Sequence, residues 1–153
     1  MKKISYEELF EIEKTVSETT NEYVKLSELK ILKLEERNIK IEMPINTANI
    51  NHIGTFYAIP MIMLMEVTGS TLIRSTFGLN DYTIIIKKTE ISFIKPSTKN
   101  LICEISISKN EAIKLITPIN ERGQGNFPLS IFVLDVNNEE IAKANFVFYL
   151  FRQ

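Results

Sequence analysis

The stretch Phe56-Tyr57-Ala58-Ile59-Pro60-Met61-Ile62-Met63-Leu64-Met65-Glu66-Val67-Thr68-Gly69-Ser70-Thr71-Leu72-Ile73 decides the fold. Its periodicity predicts a helix from about Thr55 to Ile73 or slightly beyond, with apolar residues around the whole circumference. A helix of that kind is buried on most sides. Thr55 suits the N-cap, but Pro60 is at home only in a first turn, which moves the expected start toward Ala58. Glu66 is the only charge in the stretch. A carboxylate there either loses solvation or finds a partner, and glutamate is rarely fully buried without pairing. Ile62, Glu66, Gly69 and Ile73 share one helical face, and Ser70 lies one turn beyond the acid on the same side.

The segments flanking this helix read as a sheet. Upstream, Leu29–Leu34 is apolar with interleaved lysines, and Ile39-Lys40-Ile41-Glu42-Met43 alternates until Pro44 stops it. Such alternation marks strands with one buried face. Between Pro44 and the helix, Asn46-Thr47-Ala48-Asn49-Ile50-Asn51-His52 is rich in residues that bond their own backbone, the signature of a loop. Downstream, Thr83–Ile94, Asn100–Ser108, Leu129–Val136 and Ile141–Phe151 read as strands, and Asn137-Asn138 suits the tight turn joining the last two. Glu111–Glu121 is expected to be a short helix, broken or ended near Pro118, followed by a loop at Gly123 and Gly125. At the N-terminus, Ser5 and Glu8 fit a capping box, and Ile4 with Leu9 fits the accompanying hydrophobic staple. Leu9, Ile12 and Val16 then line one face of a packing helix within residues 1–22.

Composition narrows the function classes. The chain has 153 residues, the length of one ordinary domain, and 44% apolar residues, enough for a sizeable core. Eighteen basic against nineteen acidic side chains give a net charge of -1 and no general pull toward nucleic acid or an anionic membrane. One cysteine and one histidine exclude an internal disulfide framework and make a protein zinc site improbable. The acidic residues arrive too early for a signal peptide, and Glu66 and Gly69 interrupt a run already short for a bilayer. A single-domain cytoplasmic protein without a membrane span is expected. A helix enclosed by one antiparallel sheet buries these apolar residues best, an α+β arrangement.

That order of elements, together with Asn51-His52-Ile53-Gly54-Thr55, Glu66, Gly69, the Lys88–Pro96 strand and the Asp135-Val136-Asn137-Asn138 turn, resembles the hotdog fold. In that fold a curved antiparallel sheet wraps a long central helix. The closest likeness is to thioesterase-like hotdog proteins of the PaaI and DUF4442 type, over most of the chain after about Leu26. The resemblance implies hydrolysis of acyl thioesters of coenzyme A or an acyl carrier protein, with no further cofactor and no metal. It places the base or nucleophile at Glu66, an assisting hydroxyl at Ser70 and the polar loop group at Asn51 or His52. It puts the substrate beside Gly54, Thr55 and Met61 and against backbone N–H groups at Ala58 and Ile59. It also implies a homodimer, or a dimer of dimers, with sites at the subunit interface. Many relatives carry Gly-Gly at the helix start, where this chain has Ala58-Ile59-Pro60.

The chemistry fits these residue types. Thioester hydrolysis develops negative charge on the carbonyl oxygen, which suits the unpaired N–H groups and positive dipole end of a helix N-terminus. A carboxylate among apolar neighbours binds protons more tightly and is a better base near neutral pH. Two other readings stand beside hydrolysis. A hydroxyacyl-thioester dehydratase would pair His52 with Glu66, although Met61 follows Pro60 where those enzymes carry glycine. A non-catalytic acyl-thioester or lipid binder would use the same pocket, as the substitutions at Ala58-Ile59-Pro60 allow. Glu66 itself has a structural reading too, as a buried acid paired with a lysine or the backbone. Cys103, Met63 and Met65 read as core.

Overall fold

The computed structural model describes residues 3–153. Ser5 caps α1 (Tyr6–Ser17), its hydroxyl accepting from the Glu8 N–H at 3.1 Å, and Ile12 and Val16 are the buried residues of this helix. A short α2 (Glu22–Leu26) follows, capped by the Asn21 carboxamide. Strands β1 (Lys30–Glu35) and β2 (Asn38–Met43) form a hairpin whose turn is closed by Arg37 at φ 65°. After the loop, α3 runs from Ala58 to Phe77. Then come β3 (Tyr82–Phe93), β4 (Leu101–Ser106), α4 (Lys109–Arg122), β5 (Gln124–Asp135) and β6 (Glu140–Arg152).

The strands make one six-stranded antiparallel sheet in the order β1-β2-β4-β5-β6-β3. Helix α3 lies against β2, β3, β4, β5 and β6, while α1 packs on α3 and β1. The core is what the alternation of the strands supplies. Ile39, Ile41 and Met43 of β2, Leu101 and Cys103 of β4, Phe127, Ile131 and Val133 of β5, and Phe146, Phe148 and Leu150 of β6 all face the helix and are buried. Gly69 is what lets α3 settle so closely. A Cβ there would sit 2.6 and 2.8 Å from ring carbons of Phe148 and 3.0 Å from Cδ1 of Ile131. The methionines Met61, Met63 and Met65 are all buried in this interface.

Four sequence expectations need correction. Tyr57, not Thr55, occupies the N-cap of α3, in extended conformation and with no side-chain cap bond. This start puts Pro60 in the first turn, where its missing N–H costs nothing. The helix also continues a full turn past Ile73, because Thr76 and Phe77 are still buried against the sheet. Helix α4 is not broken at Pro118: the proline sits on the exposed side, and Ile116 and Ile119 anchor the helix before and after it. Strand β5 begins at Gln124 rather than Leu129. Its Pro128 lies in a stretch paired only with β6, since β4 bonds only Val133–Asp135. That stretch is locally an edge, where proline is tolerated. The expected turn between β5 and β6 is present: the Asp135 carboxylate accepts from the N–H groups of Asn137 at 2.8 Å and Glu139 at 3.0 Å, and Asn138 adopts φ 61°.

Candidate active site

The loop before α3 is built by its own asparagines. The Asn51 carboxamide oxygen accepts from Ile53 N–H and Thr55 N–H, both at 3.1 Å, and its nitrogen donates to the Thr55 hydroxyl at 2.8 Å. Gly54 completes the turn at φ 80°. Asn49, buried, donates to the carbonyls of Ser27 and Pro44 and accepts the Tyr57 N–H on its own carbonyl at 2.8 Å. The helix start is thereby tied to the β1–β2 side of the sheet. With the Tyr57 N–H engaged and Pro60 lacking one, two orphan donors of the first turn remain, on Ala58 and Ile59. They are the pair that the resemblance assigns to the thioester carbonyl.

A groove of about 390 Å³ runs beside this start, lined by Asn51, Thr55, Phe56, Tyr57, Ala58, Met61 and the Phe93–Pro96 end of the β3 segment. His52, Gly54 and Ile59 are exposed and stand outside its lining. Asn51 and Thr55 therefore face the groove while their side chains hold the loop together.

Glu66 lies elsewhere. It borders a second cavity, of about 290 Å³, between α3, the α1–α2 segment and β3. Its neighbours there on α3 are Val67, Ser70, Thr71 and Arg74, with Thr15, Val16 and Val24 on one side and Ile84, Ile85 and Ile86 on the other. Burial pushes the Glu66 carboxyl above the ordinary glutamate value, while the Arg74 charge pulls the other way. Burial likewise lowers Arg74, opposed by Glu66. Among the described residues neither side chain makes a hydrogen bond or a close ion pair. The reading of Glu66 as an acid tied to a lysine or the backbone is thus not what the structure holds. Ser70 shares the cavity, but its hydroxyl donates to the Val67 carbonyl at 3.1 Å.

The structure does not bring the acid and the helix start together within one chain. Ala58 and Glu66 are eight positions apart, about 12 Å along the axis, and border different cavities. Arg74 is the residue that the sequence reading missed. Nothing local in the sequence marked it, since the cavity it shares with Glu66 is closed by elements distant in the chain. Cys103 is fully buried on β4, and burial pushes its thiol up to about 12, with hydrogen bonding to Thr68 opposing. It belongs to the core. Among the described residues no group of three His, Cys, Asp or Glu side chains is placed to hold a metal, and no helix is long and apolar enough to cross a membrane.

Known proteins bear out the fold. A Pseudomonas aeruginosa protein of unknown function, described as a probable thioesterase, superposes with a TM-score of 0.84 at 25% identity, over 94% of this chain and 96% of that one. A Chlorobaculum tepidum protein of unknown function matches with a TM-score of 0.81 at 10% identity, over 99% of each chain. A Haemophilus influenzae thioesterase matches with a TM-score of 0.68 at 12% identity, over 92% of this chain and 90% of that one. No curated protein matches the sequence. The family model described as a domain of unknown function, DUF4442, matches residues 13–150. With a long helix seated on a six-stranded antiparallel sheet and that match spanning nearly its whole length, the chain belongs to the DUF4442 family and has the hotdog fold.

Proposed function

We propose that the protein hydrolyses acyl thioesters, with Glu66 as base or nucleophile. One observation carries this reading: a half-buried carboxylate that makes no hydrogen bond, its proton affinity raised by burial, borders a cavity large enough for a short acyl group. Its raised proton affinity suits a base working near neutral pH. The Ala58 and Ile59 N–H groups are the complementary oxyanion donors, at the positive end of α3. Tetrahedral charge collects on the thioester oxygen as water, or Glu66 itself, adds to the carbonyl carbon. Collapse breaks the C–S bond and expels the carrier thiolate, which takes the proton that Glu66 removed from water. Where Glu66 itself adds, the mixed anhydride left on it is then hydrolysed by a water. Asn51 acts by holding the loop that presents those donors, and Ser70 acts as an acceptor at the edge of the acid's cavity. The thioesterase descriptions carried by two structural neighbours favour the same chemistry.

The separation of acid and donors is accounted for if the working unit is a homodimer, each site combining the helix start of one copy with Glu66 of the other. The sheet has an edge suited to this. β3 pairs only with β6, runs twelve residues and exposes Ile85 and Ile86 at 48% and 39%. The opposite edge, β1, is short, irregular and carries Lys30 and Lys33, features that discourage pairing.

The test is thiol release from a panel of coenzyme A thioesters, for the native sequence and for Glu66→Gln and His52→Ala. Hydrolysis that falls about 10²–10⁴-fold in Glu66→Gln and survives in His52→Ala is expected. No thiol release from any chain length would defeat the proposal. Dehydration of hydroxyacyl thioesters that depends on His52 would replace it.

A further inference from the structure

The Glu66 cavity also holds a cation. Arg74 is half-buried, has Glu66 as its charged neighbour, and makes no hydrogen bond or close ion pair with any described residue. On the walls beside it, Thr15 donates to the Ile12 carbonyl at 2.7 Å and Ser70 to the Val67 carbonyl at 3.1 Å, and the Thr71 oxygen is buried with no surface open to the cavity. Arg74 is thus the uncommitted donor of α3 on this space. A plain alkyl chain would desolvate the guanidinium further. A carboxylate would satisfy it, because the planar guanidinium fork matches its two oxygens.

From this geometry we infer that the cavity selects acyl groups ending in a carboxylate, with Arg74 binding the far end of the acyl chain. The inference rests on the acyl-thioester reading above, which puts the reacting carbonyl at Glu66. Arg74 lines the same cavity as Glu66, so an acyl chain that enters it from the carbonyl at Glu66 runs beside the guanidinium. Glu66 itself is not the anion that Arg74 is shaped for, since the two do not close into an ion pair.

Binding decides the matter separately from turnover. Glu66→Gln protein, which holds thioesters without consuming them, is titrated with glutaryl-coenzyme A, with uncharged pentanoyl-coenzyme A of the same chain length, and with free coenzyme A. The glutaryl thioester should bind tighter than the pentanoyl one. Adding Arg74→Gln should weaken glutaryl binding about 10- to 150-fold, as expected for losing hydrogen bonds to an ion, and leave the other two ligands unchanged. Arg74→Lys should recover part of that loss. Equal weakening of all three ligands by Arg74→Gln would place the guanidinium on a carrier phosphate and overturn the inference. Indifference to the acyl carboxylate, or no binding of either thioester, would overturn it too. If the binding preference holds while the native sequence releases no thiol, the hydrolysis reading fails and the carboxylate site stands.

Discussion

Gly69→Ala is expected to destabilise the protein although alanine is the better helix former. The added Cβ would meet two ring carbons of Phe148 at 2.6 and 2.8 Å and Cδ1 of Ile131 at 3.0 Å. Carbon atoms pack comfortably at about 3.5–4.0 Å, so the ring would have to retreat by about 1 Å. It has little room to do so. Phe148 is 1% exposed and stacks on Phe146 with centroids 5.5 Å apart, and Ile131 is 1% exposed. Overpacking of a closed core costs about 1–3 kcal/mol, and two contacts under 3 Å on a ring stacked against Phe146 put this site near the top of that range. Against it, replacing glycine with alanine inside a helix returns about 1 kcal/mol. The net is a loss of about 2 kcal/mol, or a fall in melting temperature of about 4–8 °C for a chain of this size. Urea and thermal unfolding of the two proteins measure it. Equal or greater stability in Gly69→Ala would refute the close seating of α3 on β6. Phe148 also borders the Glu66 cavity, so the displaced ring should reduce thioester hydrolysis in the protein that remains folded.

Three further outcomes follow from the site and the sheet. Hydrolysis that needs the Glu66 carboxylate should fall as pH drops through its raised pKa, giving an acid limb above the ordinary glutamate value of 4.5. Arg74 holds that pKa down, so Arg74→Gln should move the limb to higher pH; movement to lower pH in the pH–rate profile would contradict the assignment. Cys103 should resist an aromatic disulfide reagent at pH 8 in the native protein and react once unfolded in guanidinium, because its thiol is buried and pushed up to about 12. Ile85→Glu should yield a folded monomer in sedimentation and suppress hydrolysis, and an active monomer would defeat the composite site.

How much was legible beforehand depends on the range of the physics involved. The Ser5 cap, the alternation in β2 and the Asn137-Asn138 turn are written locally, and each is where it was expected. The solitary acid of α3 was legible for the same reason, since an apolar circumference leaves one charge conspicuous. Arg74 was not, because its meaning depends on which neighbours cover the stripe it shares with Glu66. The α1–α2 segment and β3, distant in sequence, make that cavity.

By itself the sequence determined the order of elements, the buried central helix and the one carboxylate on it, since residue periodicity and cap stereochemistry act over a few positions. Only the tertiary structure decided the rest. It carried α4 past Pro118 by anchoring Ile116 and Ile119, and it carried β5 back to Gln124 by pairing it with β6. It also set Glu66 beside Arg74 and apart from the helix start, in a different cavity. Those outcomes follow from long-range packing, where the burial of several distant side chains outweighs the preference of any single residue.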